Sequence, residues 1–130
     1  MLTTIRGAVT VEKNTKEDIL ASTKELILTI AKENKLIQED VIAMIFTATE
    51  DLDAVYPAKA ARDLGWTEIG LMCMQEMFVV DSLPMCIRLM VLYNQKNEEQ
   101  AIHPVYLREA KVLRPDWSKR EELIIEEVLS

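Results

Sequence analysis

The segment MCIRLMVLY, residues 85–93, constrains this chain more than any other. Read as a strand, it places Met85, Ile87, Leu89, Val91 and Tyr93 on one side and Cys86, Arg88, Met90 and Leu92 on the other. Both sides are largely apolar, so both need cover. The rest of the chain supplies one long helix for that purpose. It opens at NTKED, where Thr15 and Asp18 have capping-box spacing with Asp in place of the usual Glu. Ile19, Leu20, Leu26, Ile27, Ile30 and Ala31 form its stripe, and it ends near Asn34. The second side of the strand is left to another subunit, which predicts a homo-oligomer with the sheet at its centre.

The other elements complete an α+β reading: a mixed β-sheet packed by one long helix and short helices. In TTIRGAVTVE, Ile5, Val9 and Val11 alternate with Thr4, Arg6, Ala8 and Thr10. VIAMIFTAT, residues 41–49, reads as a strand buried on both faces. EDLDAVYPAKAARDLG leads into a short helix, with Pro57 in its first turn and Gly65 at its end. Trp66 to Met74 reads as a third strand, and KVL at 111–113 as a candidate last strand after a loop with a short helical turn. A length of 130 residues suits one core, assigned to residues 1–116. The tail, 117–130, reads either as a helix packing on the body or as a loose end.

The net charge is −7 and Lys and Arg are not clustered, which argues against nucleic acid or an anionic membrane surface as partner. No apolar run approaches the ~18 residues of a transmembrane helix. The start, MLTTIRGAVT, lacks the basic n-region of a signal peptide. Cys73 and Cys86 stand thirteen apart, outside any CxxC pattern, and suggest a reducing cytoplasm. Neither has a histidine at metal-ligand spacing, and the single histidine is His103, so no zinc site is expected.

Charges inside apolar strands carry the functional signal. Glu76 ends the third strand in LMCMQEM, and Arg6 and Arg88 lie mid-strand. One reading is a buried Arg–Glu pair, but such pairs are poor stabilisers. Two arginines and one acid fit a pocket for an anionic ligand better, because the guanidinium fork binds a carboxylate through two bonds at once. Lys59 and Arg62 share one side of the short helix, an arrangement that a solvated basic face would also explain. Tyr106 taken alone reads as half-buried core, His103 as surface and Cys73 as a small buried apolar residue. The chain has no nucleophile–base pair, glycine-rich phosphate loop or metal cluster. Any chemistry would therefore rest on positioning and charge.

IRGAVTVEKNTKEDI, YPAKAARDLGW, CMQEM, CIRLM and VYLREAKVLRPD, with the spacings between them, resemble the monofunctional AroH-class chorismate mutases from about Leu2 to Asp116. The resemblance implies a homotrimeric pseudo-α/β barrel with clefts between adjacent subunits. The implied reaction is the [3,3]-sigmatropic rearrangement of chorismate to prephenate, on the route to phenylalanine and tyrosine, with no cofactor and no metal. By match, Arg88 stands at the ether oxygen, Glu76 and Cys73 at the ring hydroxyl, and Arg6 and Tyr106 at a carboxylate. Met72, Cys73, Met74 and Gln75 line the wall, and Lys59 and Arg62 reach across from the neighbouring subunit. Tyr56 and Leu113 close the apolar sides, and the tail is expected to be mobile over the mouth. Tyr56 stands where the family often has Phe, and Met72 where Thr is common. The stretch between Arg62 and Trp66 is one residue shorter, and FVVDSLPMC lacks the glycines expected there. Two rival readings are a trimeric Rid-like imine deaminase, which would not need the Arg6–Glu76–Arg88–Tyr106 set, and a non-enzymatic module binding a small dicarboxylate, for which Glu76 would be a handicap.

Overall fold

A computed structural model describes residues 1–113. The expected tail, and the end of the domain assigned to 1–116, lie outside the described residues. Five strands form one sheet: β1 (Leu2–Thr10), β2 (Val41–Ala48), β3 (Gly70–Gln75), β4 (Cys86–Asn94) and β5 (Val105–Leu107). Their order is β3-β2-β4-β1-β5. β4 runs antiparallel to both its neighbours, whereas the outer strands β3 and β5 run parallel to β2 and β1. The helices are α1 (Lys16–Glu33) and the short α2 (Ala58–Asp63).

α1 begins at the cap read from the sequence: the Thr15 hydroxyl accepts the Asp18 backbone N–H at 3.1 Å. Its buried stripe of Ile19, Leu26, Ile27 and Ile30 packs on the sheet face that carries Ile5, Val9, Phe46, Ile87, Leu89 and Val91. Gly7 permits the close approach. A Cβ there would lie 2.8 Å from Ile30 Cδ1 and 2.9 Å from the Val105 carbonyl oxygen. At the far end, buried Asn34 fixes the loop that returns to β5. Its side-chain amide donates to the His103 carbonyl at 2.9 Å, and its side-chain oxygen accepts the His103 N–H at 2.7 Å. The His103 ring itself is exposed, as expected.

Three local expectations need correction. β2 is not buried on both faces by the described residues: Met44 and Phe46 are buried on the α1 side, but Ala43, Ile45 and Thr47 on the other are only half-buried. The third strand begins at Gly70, because Trp66 is committed to stopping α2. Gly65 takes φ +95, its N–H donates to the Arg62 carbonyl, and the Trp66 N–H donates to the Ala61 carbonyl at 3.0 Å. That is a Schellman closure, which buries Trp66 against the core as the residue after the glycine. The last strand is VYL, not KVL. Arg108 takes φ +56 immediately after it, and residues 108–113 form a 3₁₀ helix.

Candidate active site

α1 and the main core occupy one face of the sheet. Strand pairing defines what stands on the other. One row crosses all five strands: Met74, Thr47, Arg88, Ala8 and Tyr106. The next row runs Met72, Ile45, Met90 and Arg6. Met72, Met74 and Met90 are exposed, so this face is apolar and left open by the described residues. The two-faced strand read from residues 85–93 is therefore observed, with its second face uncovered by the described residues.

Arg88 reaches across the end of β2 to Glu76, which follows β3 directly, and its Nε lies 3.3 Å from Glu76 Oε1. The Glu76 backbone is itself pinned, its N–H donating to the Ala48 carbonyl at 2.9 Å. The side chains are 50% and 27% exposed, so this is not the buried pair that a purely structural reading required. A pair so accessible contributes about 0–1 kcal/mol to folding. Arg6 lies on the same face, one residue before the stretch of β1 that pairs with β5. Tyr106 and Leu113 pack against a small satellite cluster of Ala8, Cys86 and Ala110. The 3₁₀ helix thus brings Leu113 to the Arg88 face.

Three supporting groups escaped the sequence reading. The Asp51 carboxylate accepts the Met85 N–H at 3.0 and 3.2 Å and also takes the Thr49 hydroxyl proton. Thr49 Oγ1 in turn accepts the Cys86 N–H at 3.0 Å. Together they hold Met85 at φ +51 and fix the start of β4 just before Arg88. The available signal was Thr and Asp two apart in a turn-prone stretch, where short polar side chains bond nearby backbone. Thr47 Oγ1, in the same row as Arg88, is buried without a hydrogen-bond partner among the described residues. The third group is Arg108, described below.

The remaining predicted site residues stand elsewhere. Cys73 is three residues before Glu76, and its register partner Phe46 belongs to the helix face. Burial pushes the Cys73 thiol up, opposed by a hydrogen bond with the Ala58 backbone and by the charge of Arg62. The Cys73 side chain is therefore next to α2, on the other side of the sheet from its own chain's Glu76. Tyr56 and Arg62 are exposed beside it. Lys59 Nζ bonds both Asp63 oxygens, at 3.0 and 3.2 Å, and together with Lys24 holds that carboxyl below the ordinary range. A cavity of about 560 Å³ lies here, lined by Tyr56, Pro57, Cys73, Met74, Gln75 and the loop after β2. The candidate residues thus form two groups on opposite faces: Arg6, Glu76, Arg88, Tyr106 and Leu113 on one, Tyr56, Lys59, Arg62 and Cys73 on the other.

Fold and site together define a mixed α+β protein with a charged site built on an uncovered, apolar sheet face. The chain belongs to the type I chorismate mutase family, whose model matches residues 2–117, and is an isomerase of that class. It is 48% identical over 119 residues to the chorismate mutase AroH of Bacillus subtilis strain 168, covering 91% of this chain and 94% of that protein. The Thermus thermophilus chorismate mutase AroH is 44% identical over 117 residues, covering 89% and 96%. A solved structure, a chorismate mutase from Clostridium thermocellum, superposes with a TM-score of 0.82 at 48% identity, over 85% of this chain and 98% of that one. The Rid-like and non-enzymatic readings give way to this membership. No helix among the described residues is long and apolar enough to cross a membrane.

Proposed function

We propose that this chain rearranges chorismate to prephenate in the cytoplasm, within residues 1–116, as a homotrimer whose clefts lie between adjacent subunits. In each cleft the open face of one chain meets the α2 side of the next. The observation that carries this reading is the Arg88–Glu76 pair at 3.3 Å, charged and accessible on an apolar face that the described residues leave uncovered. A trimer joins the two separated groups: Arg6, Glu76, Arg88, Tyr106 and Leu113 from one subunit, Tyr56, Lys59, Arg62 and Cys73 from its neighbour. Met72 to Gln75 stand on the edge strand between them.

The reaction explains the residue types. As the C–O bond breaks, negative charge grows on the ether oxygen and the ring fragment becomes relatively positive. A cation fixed beside that oxygen binds the transition state more tightly than the substrate, as acceleration requires. Arg88 takes this place. Its contact with Glu76 is made through Nε, and the terminal amino groups are assigned to the ligand. Glu76, held by that contact, accepts the ring hydroxyl and faces the positive fragment. Arg6 and Tyr106 hold a carboxylate, and the neighbour's Lys59 and Arg62 meet the substrate's charge from the opposite wall. This selects the compact conformer in which the reacting carbons approach. The rearrangement is concerted and needs no nucleophile, cofactor or metal. The test is direct: purified protein should convert chorismate to prephenate with no added metal or nucleotide. Unaltered chorismate in the presence of folded trimer would refute the assignment.

A further inference from the structure

Arg108 holds a position that its residue type disfavours. Its φ of +56 lies in the left-handed region, which a branched-out L side chain enters at a cost. The turn it makes is consequential: β5, on the sheet edge, ends at Leu107, and the following 3₁₀ helix passes to the opposite face with Leu113. The Arg108 side chain goes the other way. Its Nη1 donates to the Thr10 carbonyl at 2.9 Å and to Ser22 Oγ at 2.7 Å, and its Nη2 meets Glu25 Oε2 at 2.6 Å. One residue later the Glu109 N–H donates to Thr10 Oγ1 at 3.1 Å. These bonds tie the end of β5 to both β1 and α1.

β5 needs such a tie. It pairs with β1 over three residues only, Gly7 with Val105, Ala8 with Tyr106 and Val9 with Leu107. Tyr106 is the middle residue of this short strand. From this geometry we infer that Arg108 is a positioning residue for substrate binding: it locks β5 so that the Tyr106 hydroxyl stands at a fixed place on the Arg88 face. Arg108 touches no reacting atom. Its side chain spends its fork on α1 and β1, and the charge-assisted bonds to Glu25 and Ser22 offset the backbone strain. The inference rests on the proposed chorismate mutase reading, within which Tyr106 binds a carboxylate.

The test combines Arg108→Ala, Arg108→Gly and Tyr106→Phe. Loss of the tether should raise KM about tenfold while kcat changes less than about threefold, the pattern of lost ground-state positioning. Arg108→Gly should show the same KM, because it relieves the φ strain without restoring the bonds. In the Tyr106→Phe background, Arg108→Ala should add little, since the two act through one contact. A normal KM in Arg108→Ala, or effects that multiply fully with Tyr106→Phe, overturns the inference. If Arg108→Ala does not fold, Glu25→Gln removes one partner of the tether and should raise KM about twofold, an effect absent in Tyr106→Phe. Amide exchange over residues 105–108 reads the tether without activity and should quicken in each tether variant. Unchanged exchange overturns the inference even if the unaltered protein proves inactive on chorismate, a result that would refute the functional reading alone.

Discussion

Arg88→Lys separates the electrostatic role of Arg88 from any role in folding. The substitution keeps one positive charge and removes the fork. In the native side chain, Nε lies 3.3 Å from Glu76 Oε1, and the proposed site assigns the terminal amino groups to the substrate. A lysine has one nitrogen on a linear stem, so it cannot serve both the acid and the ether oxygen. The lost contact is one that strengthens only in the transition state. Removing such a donor commonly lowers kcat by ~10²–10³, or about 3–4 kcal/mol of barrier. Folding should hardly notice. Because Arg88 is half exposed, its pair with Glu76 contributes about 0–1 kcal/mol, and a lysine retains part of that. Chorismate disappearance at saturating substrate, read beside a thermal melt, should therefore show a kcat loss of at least about a hundredfold with a melting temperature within a few degrees of the parent. A kcat within about threefold of the parent would show that another cation stands at the ether oxygen. A collapse in melting temperature would show that Arg88 is a structural residue.

Three further substitutions probe the frame around the site. Thr47→Val removes the unpartnered buried hydroxyl with little change of shape, and should raise unfolding free energy by about 1 kcal/mol in denaturant titration; a loss instead would mean the hydroxyl has a partner in the assembled enzyme. Gly7→Ala forces a Cβ to within 2.9 Å of the Val105 carbonyl oxygen, which is backbone and cannot swing aside, so it should cost about 1–3 kcal/mol by the same titration. Burial raises the Cys86 thiol from 9.0 to about 11. A folded value above the unfolded one means stability is present below pH 9 and lost as pH rises toward 11, by about 2 kcal/mol at the upper end. Urea titrations across that range should show this slope in the parent and a shallower one in Cys86→Ala, where the Cys73 thiol still contributes.

Periodicity made much of this fold readable because each side chain's surroundings followed from its own strand or helix. Alternation along residues 85–93 located both faces of β4, and Thr15 with Asp18 located the start of α1. The misreadings occurred where one residue served two elements. Trp66 alternates with Glu68 and Gly70 as a strand would, but its backbone N–H and its ring are both spent on ending α2. VYL and KVL are equally strand-like as strings. A backbone inversion at Arg108, stabilised by partners 83 to 98 residues away in sequence, decides between them. The charged candidates were found because Arg and Glu are costly among apolar neighbours. Only the resemblance set Lys59 and Arg62 across from a neighbouring subunit, and the alternation along the strands did not show the division between two faces. It depends on where β3 ends relative to α2, which puts Cys73 on the side away from Glu76.

That division supplies the most direct test of the central claim, that each site is completed by a second chain. Arg88→Ala disables the open-face half and Arg62→Ala the α2 half. Each homotrimer should turn over chorismate poorly. Unfolding the two together in equal amounts and refolding them gives mixed trimers in which a cleft is intact when an Arg62→Ala chain supplies the open face and an Arg88→Ala chain supplies the α2 side. Random assembly makes that combination in about a quarter of clefts. The refolded mixture should therefore recover about a quarter of the parent kcat per site, far above either variant alone. Activity equal to the average of the two separate variants would contradict a site shared between chains.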